Sequence, residues 1–215
     1  MPFSVILEKM SVGMGRASLI FVLTLVLSLP LGVLVALARM SKNRLVSALT
    51  RIYISVMRGT PLMLQLIAVY FGPFYLFGIS IRGFRFYAVI IGFVVNYAAY
   101  FAEIFRSGIE SMPLGQYEAA SVLGYTRGQT FLRIILPQVI KRILPSVTNE
   151  VVTLVKDTSL AFSLAYQEVF SIAKQIAASQ TSFVPFMVAG VFYYIFNAIV
   201  AFGMERIEKK LRYYR

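Results

Sequence analysis

The chain has 215 residues and a formal net charge of +12, and 59% of its residues are hydrophobic against 14% that are charged. This composition, with a mean hydropathy of +0.76, is typical of a polytopic membrane protein and argues against a water-soluble domain. Because the chain has no Cys and no His, it lacks the residues of disulfide frameworks and the commonest zinc and haem ligands, so redox and metal enzymes are the least expected classes.

Apolar runs of spanning length follow one another along the chain. A helix that crosses a bilayer needs about 20 apolar residues. Four charge-free runs meet or approach this length, and they cover 17–38, 59–81, 86–102 and 175–204. A fifth candidate, 143–165, is apolar apart from Glu150, Lys156 and Asp157. The sequence therefore predicts an all-α membrane protein with one transmembrane domain, 1–215. Its five spans are expected at about 17–38, 59–81, 86–106, 143–165 and 180–204, with a long loop at about 107–142.

The basic residues indicate the orientation of these spans. Five spans place the termini on opposite sides, so the connecting segments form two sets. The 39–58 loop, the 103–142 loop and the C-terminal tail together hold 15 Lys and Arg residues, and the other set holds 6. Because basic residues concentrate on the cytoplasmic side, we expect an extracytoplasmic N-terminus and a cytoplasmic C-terminus. Topology then explains most of the charge without nucleic acid, and the tail 205–215 is expected at an anionic lipid surface.

The start of the second span carries the tetrad RGTP, residues 58–61. Thr60 can serve as the N-cap of the helix, and Pro61 suits its first turn. We interpret the tetrad as a cytoplasmic anchor and helix start, which is a structural role.

The segment EAASVLGYTRGQTFLRIILP, residues 118–137, lies in the long loop before the fourth span. Pro113 suits the first turn of a helix, and Gly124 suits the position just after its end. Thr126 can then cap a second helix, whose apolar residues recur at helical spacing up to Pro137. These signals predict a helix, a glycine turn and a second helix. On these features alone the segment is equally well interpreted as a surface hairpin that joins two spans.

Polar side chains follow two stripes of the fourth span. Glu150, Thr153 and Asp157 share one helical stripe, and Asn149 and Lys156 lie beside it. A charge at this depth must face protein or a water-filled cavity. Charges of both signs would suit an amino-acid zwitterion on a transport pathway. Two alternatives remain: the charges pair with other spans or with a second subunit, or the span boundaries differ.

Three further polar residues lie in the second and third spans. Glu103, near the cytoplasmic face, is a candidate for the transport pathway or for a simple interfacial pair with Arg106. Gln65 and Asn96 are also pathway candidates, but hydrogen bonding between helices explains them at least as well.

The spacing within 118–137 adds a resemblance to a known family. The segment matches, at every specified position, the motif E-A-A-x3-G-x9-I-x-L-P of the permease subunits of bacterial ABC importers. In that family the motif forms a coupling helix that docks into a cleft on the cytoplasmic ATPase. The small Ala119 and Ala120 would permit close approach of two backbones, Gly124 the turn, and Glu118 a bond to a basic or N–H partner. The matching residues are Glu118, Ala119, Ala120, Gly124, Ile134, Leu136 and Pro137.

Other stretches resemble the polar amino-acid branch of the same family, namely 58–66, 100–120 and 149–160. The resemblance implies a type I importer permease fold in the bacterial cytoplasmic membrane. It also implies a second permease subunit, identical or paralogous, two ATPase subunits and an extracytoplasmic amino-acid-binding protein. The chain has no G-x-x-x-x-G-K-[ST] phosphate loop, so ATP and Mg are expected on the partner ATPase and no cofactor on this chain.

The resulting hypothesis is a permease subunit, without enzymatic activity of its own, for the ATP-driven import of polar amino acids. One alternative is the same architecture for another small solute. A second is an ion-driven secondary transporter, whose membrane carboxylates would relay ions. An intramembrane enzyme is disfavoured because no catalytic or metal-binding residue is evident. The pathway candidates are Glu103, Glu150, Lys156, Asp157, Asn149, Thr153, Gln65 and Asn96.

Overall fold

The computed structural model describes residues 2–211, and Met1 and 212–215, the end of the basic tail, lie outside the described residues. Every regular element of the described part is helical, which confirms the all-α prediction. The elements are α1 (Phe3–Arg39), α2 (Arg44–Gly59), α3 (Leu62–Phe77), α4 (Arg85–Glu110), α5 (Leu114–Val122), α6 (Arg127–Thr130), a π-helical turn (Phe131–Ile135), α7 (Leu136–Asp157), a 3₁₀ segment (Thr158–Leu164), α8 (Val169–Gln180) and α9 (Val184–Leu211).

Three helices in the described residues, α1, α4 and α9, are each long and apolar enough to cross a membrane. The helices α2 and α3 are long and apolar enough to cross a membrane only when they are taken together, and they are bent by 113° relative to one another. The helix α7 is not among these candidates because it carries several charges. The structure therefore supports three or four spans by length and composition, and the five spans and their orientation stay predictions.

The two helices α1 and α4 form the centre of the molecule. Phe93, Tyr97 and Phe101 of α4 are fully or almost fully buried, and they share a core with Ile20 of α1. A Cβ atom at Gly32 of α1 would lie only 2.8 Å from the Cβ atom of Phe101. Glycine therefore permits the close approach of these two helices, as small residues do in membrane proteins.

The junction between α2 and α3 differs from the sequence prediction. The predicted loop 39–58 contains the helix α2, which begins after Asn43, whose side chain accepts hydrogen bonds from two backbone N–H groups. The prediction that Thr60 caps the next helix is wrong, since Pro61 occupies the N-cap position. The Thr60 hydroxyl instead donates to the carbonyl of Val56 at 2.8 Å, back into α2. Thr60 therefore completes the preceding helix.

At the other end of the molecule, α8 packs on the first part of α1. Met10 and Ile6 of α1 form a separate core with Val169 and Ala173 of α8. The buried carboxylate of Glu168 caps α8, because it accepts hydrogen bonds from the backbone N–H groups of Phe170 and Ser171 in the first turn, each at 2.7 Å. The hydroxyl of Tyr193 on α9 also donates to this carboxylate at 2.7 Å, so the cap connects α8 to α9.

Candidate coupling surface and polar pathway

The helix α5 forms where it is predicted and ends as predicted, although Pro113 is its N-cap and not part of its first turn. Pro113 precedes it in an extended conformation, and Gly124 follows it with a positive φ of 78°. The backbone N–H of Tyr125 donates to the carbonyl of Ala120 at 3.0 Å, which closes the end of the helix. Gly124 is thus the residue just after the helix end, in the left-handed region that glycine favours.

The second helix of this segment also begins as predicted. Thr126 is its N-cap, and Thr126 and Gln129 form a reciprocal capping box. The helical path does not end at Pro137, however, but continues through the π-helical turn into α7. The Pro137 ring has no N–H to offer the carbonyl of Arg133, and the widened turn lies where that bond is missing.

Side-chain amides connect α5 to the first turns of α7. Gln116 donates to Gln138 at 2.9 Å, and Gln138 donates back to Gln116 at 2.7 Å. A small core beneath them contains Met112, Ile135 and Val139. The coupling segment is therefore attached to α7 by paired amides and by apolar packing.

The structure divides the seven motif residues into two groups. Ala120 is only 1% exposed, and Ile134 packs on the small core of Ile135. Leu136 is half-buried, so these three contribute to packing within the chain. The other four are exposed, and they are Glu118, Ala119, Gly124 and Pro137.

Large apolar side chains surround the exposed motif residues on α5. Val122 is 88% exposed, and Leu114 and Leu123 are each about three-quarters exposed. We define the coupling surface as Leu114, Glu118, Ala119, Val122 and Leu123. A contiguous apolar patch of this kind, with one carboxylate in it, is typical of a protein-binding surface.

The two acidic candidates of α7 point into the molecule. The carboxylate of Asp157 accepts a hydrogen bond of 2.7 Å from the hydroxyl of Tyr97, which is buried on α4. Glu150 is half-buried, and it interacts electrostatically with Arg58 at the end of α2. The guanidinium of Arg58 also lies over the ring of Tyr100, 5.4 Å from its centroid.

The remaining α7 candidates have a different environment. Asn149, Thr153 and Lys156 are all exposed on the surface of the single chain. Their spacing places them on one stripe of the helix. The sequence had grouped Thr153 with the two acids, but its exposure places it with Asn149 and Lys156. A polar stripe in a membrane helix requires a protein or an aqueous neighbour.

Glu103 forms the ion pair that the sequence left open as an alternative. Its carboxylate pairs with Arg106, one turn later on α4, and Arg106 also pairs with Glu110. A transport role for Glu103 is therefore not needed to explain its position near the end of a membrane helix.

Gln65 and Asn96 meet at the bend between α2 and α3. The side chain of Asn96 donates to Gln65 at 2.8 Å and to the carbonyl of Met57 at 3.1 Å. Gln65 donates to the same carbonyl at 2.9 Å and to the hydroxyl of Thr60 at 2.8 Å. These amides satisfy backbone groups that the bend leaves without helical partners, as a break in a membrane helix requires.

Tyr97 was not identified as a candidate from the sequence. It lies 60 residues from its partner Asp157, and no local pattern connects the two positions. Glu168 was likewise missed, although an acidic side chain just before a helix suits the positive end of the helix dipole. Among residues 2–211, no group of three or more His, Cys, Asp or Glu residues could hold a metal ion.

Comparison with known proteins links these features to a family. Residues 28–213 match the family model described as "Binding-protein-dependent transport system inner membrane component". The arginine transport system permease protein ArtQ of Bacillus subtilis (strain 168) is 35% identical over 201 residues, which are 93% of this chain and 91% of that protein. The nopaline transport system permease protein NocM of Agrobacterium fabrum (strain C58 / ATCC 33970) is 38% identical over 187 residues, 83% of this chain and 78% of that protein.

A solved structure has the same overall fold. It is described as the crystal structure of an amino acid ABC transporter with histidines, and it superposes with a TM-score of 0.87 at 28% identity. The match covers 98% of this chain and 99% of that chain. The likeness therefore extends over the whole arrangement of helices described above.

Proposed function

The chain belongs to the family of binding-protein-dependent transport system inner membrane components and is the permease subunit of an ABC importer, and from this premise we propose that it imports polar amino acids. A relative that is named for arginine and a solved structure that is described as an amino acid transporter support this cargo class. The single observation that carries the coupling part of the proposal is the exposed coupling surface on α5. ATP and Mg belong to the partner ATPase.

We propose that the coupling surface docks on that ATPase. Val122 and Leu123 would supply apolar contact area, Ala119 would permit close backbone approach, and Glu118 would accept a hydrogen bond from a basic or N–H group. Ala120 and Ile134 instead hold the shape of the segment from within.

The connection from α5 to α7 suggests how the force is transmitted. When the ATPases close, they would displace α5, and the Gln116–Gln138 amide pair would transfer this displacement to the first turns of α7. Because α7 also carries the polar residues at 149–157, movement of this helix would change the access to them. The coupling surface on α5 and the polar residues on α7 would therefore move together.

The assembly around the chain forms the second part of the proposal. We place five spans in the membrane, with α7 as the charged one and the N-terminus extracytoplasmic. The exposed stripe of Asn149, Thr153 and Lys156 would face a second permease subunit or the aqueous pathway between the two. Two ATPases and an extracytoplasmic amino-acid-binding protein would complete the transporter.

Co-purification with the ATPase tests the coupling surface. The substitution Leu123→Asp places a charge in the apolar patch, whereas Ser80→Asp adds the same charge in the exposed 78–84 connection. We expect the wild-type chain and the Ser80 variant to retain the ATPase in mild detergent, and the Leu123 variant to lose it together with uptake. Retention of the ATPase and normal uptake by the Leu123 variant would contradict the proposal.

The cargo is tested separately with the intact transporter in proteoliposomes. Uptake of labelled arginine in the presence of its binding protein should be ATP-dependent, and polar amino acids should compete with it. Uptake that follows an ion gradient without ATP would instead support a secondary transporter. If only unrelated solutes compete with arginine, the proposed architecture would stand, but the proposed amino-acid cargo would be wrong.

A further inference from the structure

The helix α2 has three faces with different surroundings. Ile54 is buried and, together with Tyr53 and Met57 of the same helix, packs on α1 and α4. A second face is apolar and exposed, with side chains 47–67% exposed at helical spacing. This apolar face consists of Leu45, Leu49, Ile52 and Val56. A third face carries Arg44 and Arg51, about a third of a turn away.

A groove of about 420 Å³ lies beside the third face. Three basic side chains line it, Lys42, Arg44 and Arg51, and Ile52 forms part of its wall. We call these residues the basic groove. Within residues 2–211, none of the three basic side chains takes part in a salt bridge. The groove thus gathers positive charge that the described part of the chain does not neutralise.

The surrounding sequence adds no negative charge that could neutralise these basic side chains. No Asp or Glu occurs between Glu8 and Glu103. Two other basic residues of this region, Arg39 and Arg58, interact electrostatically with Glu103 on α4. Among the described residues no acidic side chain pairs with the basic groove, so it presents a site for an anion supplied from outside the chain.

The bend of α2 indicates the source of that anion. The 113° angle places α2 across the direction of α3. A helix that lies across the spans, with one apolar face and one basic face, is the geometry of a helix in the interface of a membrane. Ile52 belongs both to the apolar face and to the wall of the groove, so the two surfaces are continuous.

We propose that the basic groove binds the phosphodiester headgroup of an anionic phospholipid whose acyl chains lie along the apolar face of α2. Lys42, Arg44 and Arg51 neutralise the headgroup, and Leu45, Leu49, Ile52 and Val56 contact the hydrocarbon. Assignment to the cytoplasmic leaflet rests on the orientation proposed above, whereas the groove and the apolar face are independent of cargo and direction.

Lipid retention by the purified importer complex tests the headgroup contact. In nanodiscs of phosphatidylglycerol and phosphatidylcholine, native mass spectrometry would measure which lipid stays bound. The triple variant Lys42→Gln, Arg44→Gln, Arg51→Gln should reduce the preference for phosphatidylglycerol by roughly fivefold per charge, and by about a hundredfold in all. The matched control, Lys9→Gln, Arg82→Gln, Lys174→Gln, removes the same charge elsewhere and should change it by less than about twofold. An unchanged preference in the triple variant, or an equal loss in the control, would overturn the proposal.

Depth measurement tests the apolar face independently of charge. Because the chain has no Cys, Leu49→Cys provides a unique labelling site when the ATPase partner is cysteine-free. A fluorophore there should be quenched by lipids brominated in their acyl chains. A fluorophore at Ser55→Cys, which is exposed on the basic side of α2, should be quenched much less. A shielded fluorophore at position 49 in the full complex would show that protein covers this face, and would overturn the proposal.

Discussion

The coupling surface and the Tyr97–Asp157 pair show two opposite uses of a carboxylate in one chain. Glu118 is exposed among apolar side chains, and the described part of the chain leaves it available to a partner. Asp157 is half-buried and bonded to a phenol on another helix. The carboxylate of Glu118 can bind a second protein, whereas that of Asp157 already accepts a hydrogen bond inside the permease. Position relative to the surface, rather than residue type, decides which of the two roles an acid can take.

From this contrast we expect that a substitution in the Tyr97–Asp157 pair lowers the stability of the fold without loss of the ATPase. Tyr97→Phe removes the hydroxyl that donates to Asp157 and leaves a half-buried carboxylate short of a hydrogen bond, at a cost of about 1–3 kcal/mol. Thermal unfolding in detergent should show this loss while the ATPase still co-purifies. Lys156→Gln, next to Asp157 but exposed, should leave stability unchanged and reduce uptake. Equal stability of the Tyr97 variant and the wild type would contradict the structural role of the buried pair.

At the glycine turn that follows the coupling surface we expect the reverse order of effects, with uptake lost before stability. Gly124→Ala puts a side chain at a φ of 78°, which costs about 1–2 kcal/mol in the turn and should lower ATP-dependent uptake by roughly tenfold. Gly128→Ala is the matched control, since Gly128 lies in α6 with no atom within 4 Å of its added Cβ and no positive φ. Uptake assays on both variants, with folding checked by gel filtration, decide the point. Similar uptake in the two variants would be evidence against a special role of the turn.

The amides at the α2–α3 bend should behave like the buried pair, but more weakly. Asn96→Ala deprives Gln65 of a donor and the Met57 carbonyl of one of its two side-chain partners. Hydrogen bonds between membrane helices contribute about 0.6–1.5 kcal/mol, so unfolding should shift by that amount with the ATPase retained. Loss of uptake without any loss of stability would instead assign Asn96 to the transport pathway.

The smallest effect is expected at the capping box. Thr126→Ala removes the acceptor for the backbone N–H of Gln129 and should cost about 0.5–1 kcal/mol locally. Uptake should fall by no more than about fivefold, because the rest of the segment is held by the core at Ile135. Thr126→Ser keeps the acceptor and should restore uptake. A complete loss of uptake in the alanine variant would show that the cap itself contacts the ATPase.

Local signals explain why the coupling segment could be predicted. Pro113, Gly124 and Thr126 act on their own neighbours, so their effects on the backbone are readable within a few residues. The burial of Ala120 could not be read in this way, because it depends on how the segment packs. Prediction was therefore good for the backbone of the segment and incomplete for its surface.

The polar pathway was harder because its partners are distant in sequence. Asp157 and Tyr97 are 60 residues apart, and Asn96 and Gln65 are 31 apart. The apolar runs 17–38, 86–102 and 175–204 overlap α1, α4 and α9, which are long and apolar enough to cross a membrane, although α1 begins already at Phe3. The charges of α7 keep it out of this group. The 113° bend was not foreseen, since RGTP also suits an ordinary helix start.

The length of α1 has a geometric consequence for the whole subunit. With 37 residues it extends about 55 Å, nearly twice the hydrocarbon thickness of a bilayer. Gly32 seats it against α4, and Gly13, about 28 Å further along, lies against the backbone of Val169 at the start of α8. Pivoting α1 by only 5° about Gly32 would move Gly13 by about 2.5 Å. A small rotation of α1 at Gly32 would therefore become a side-chain-sized displacement at its N-terminal end.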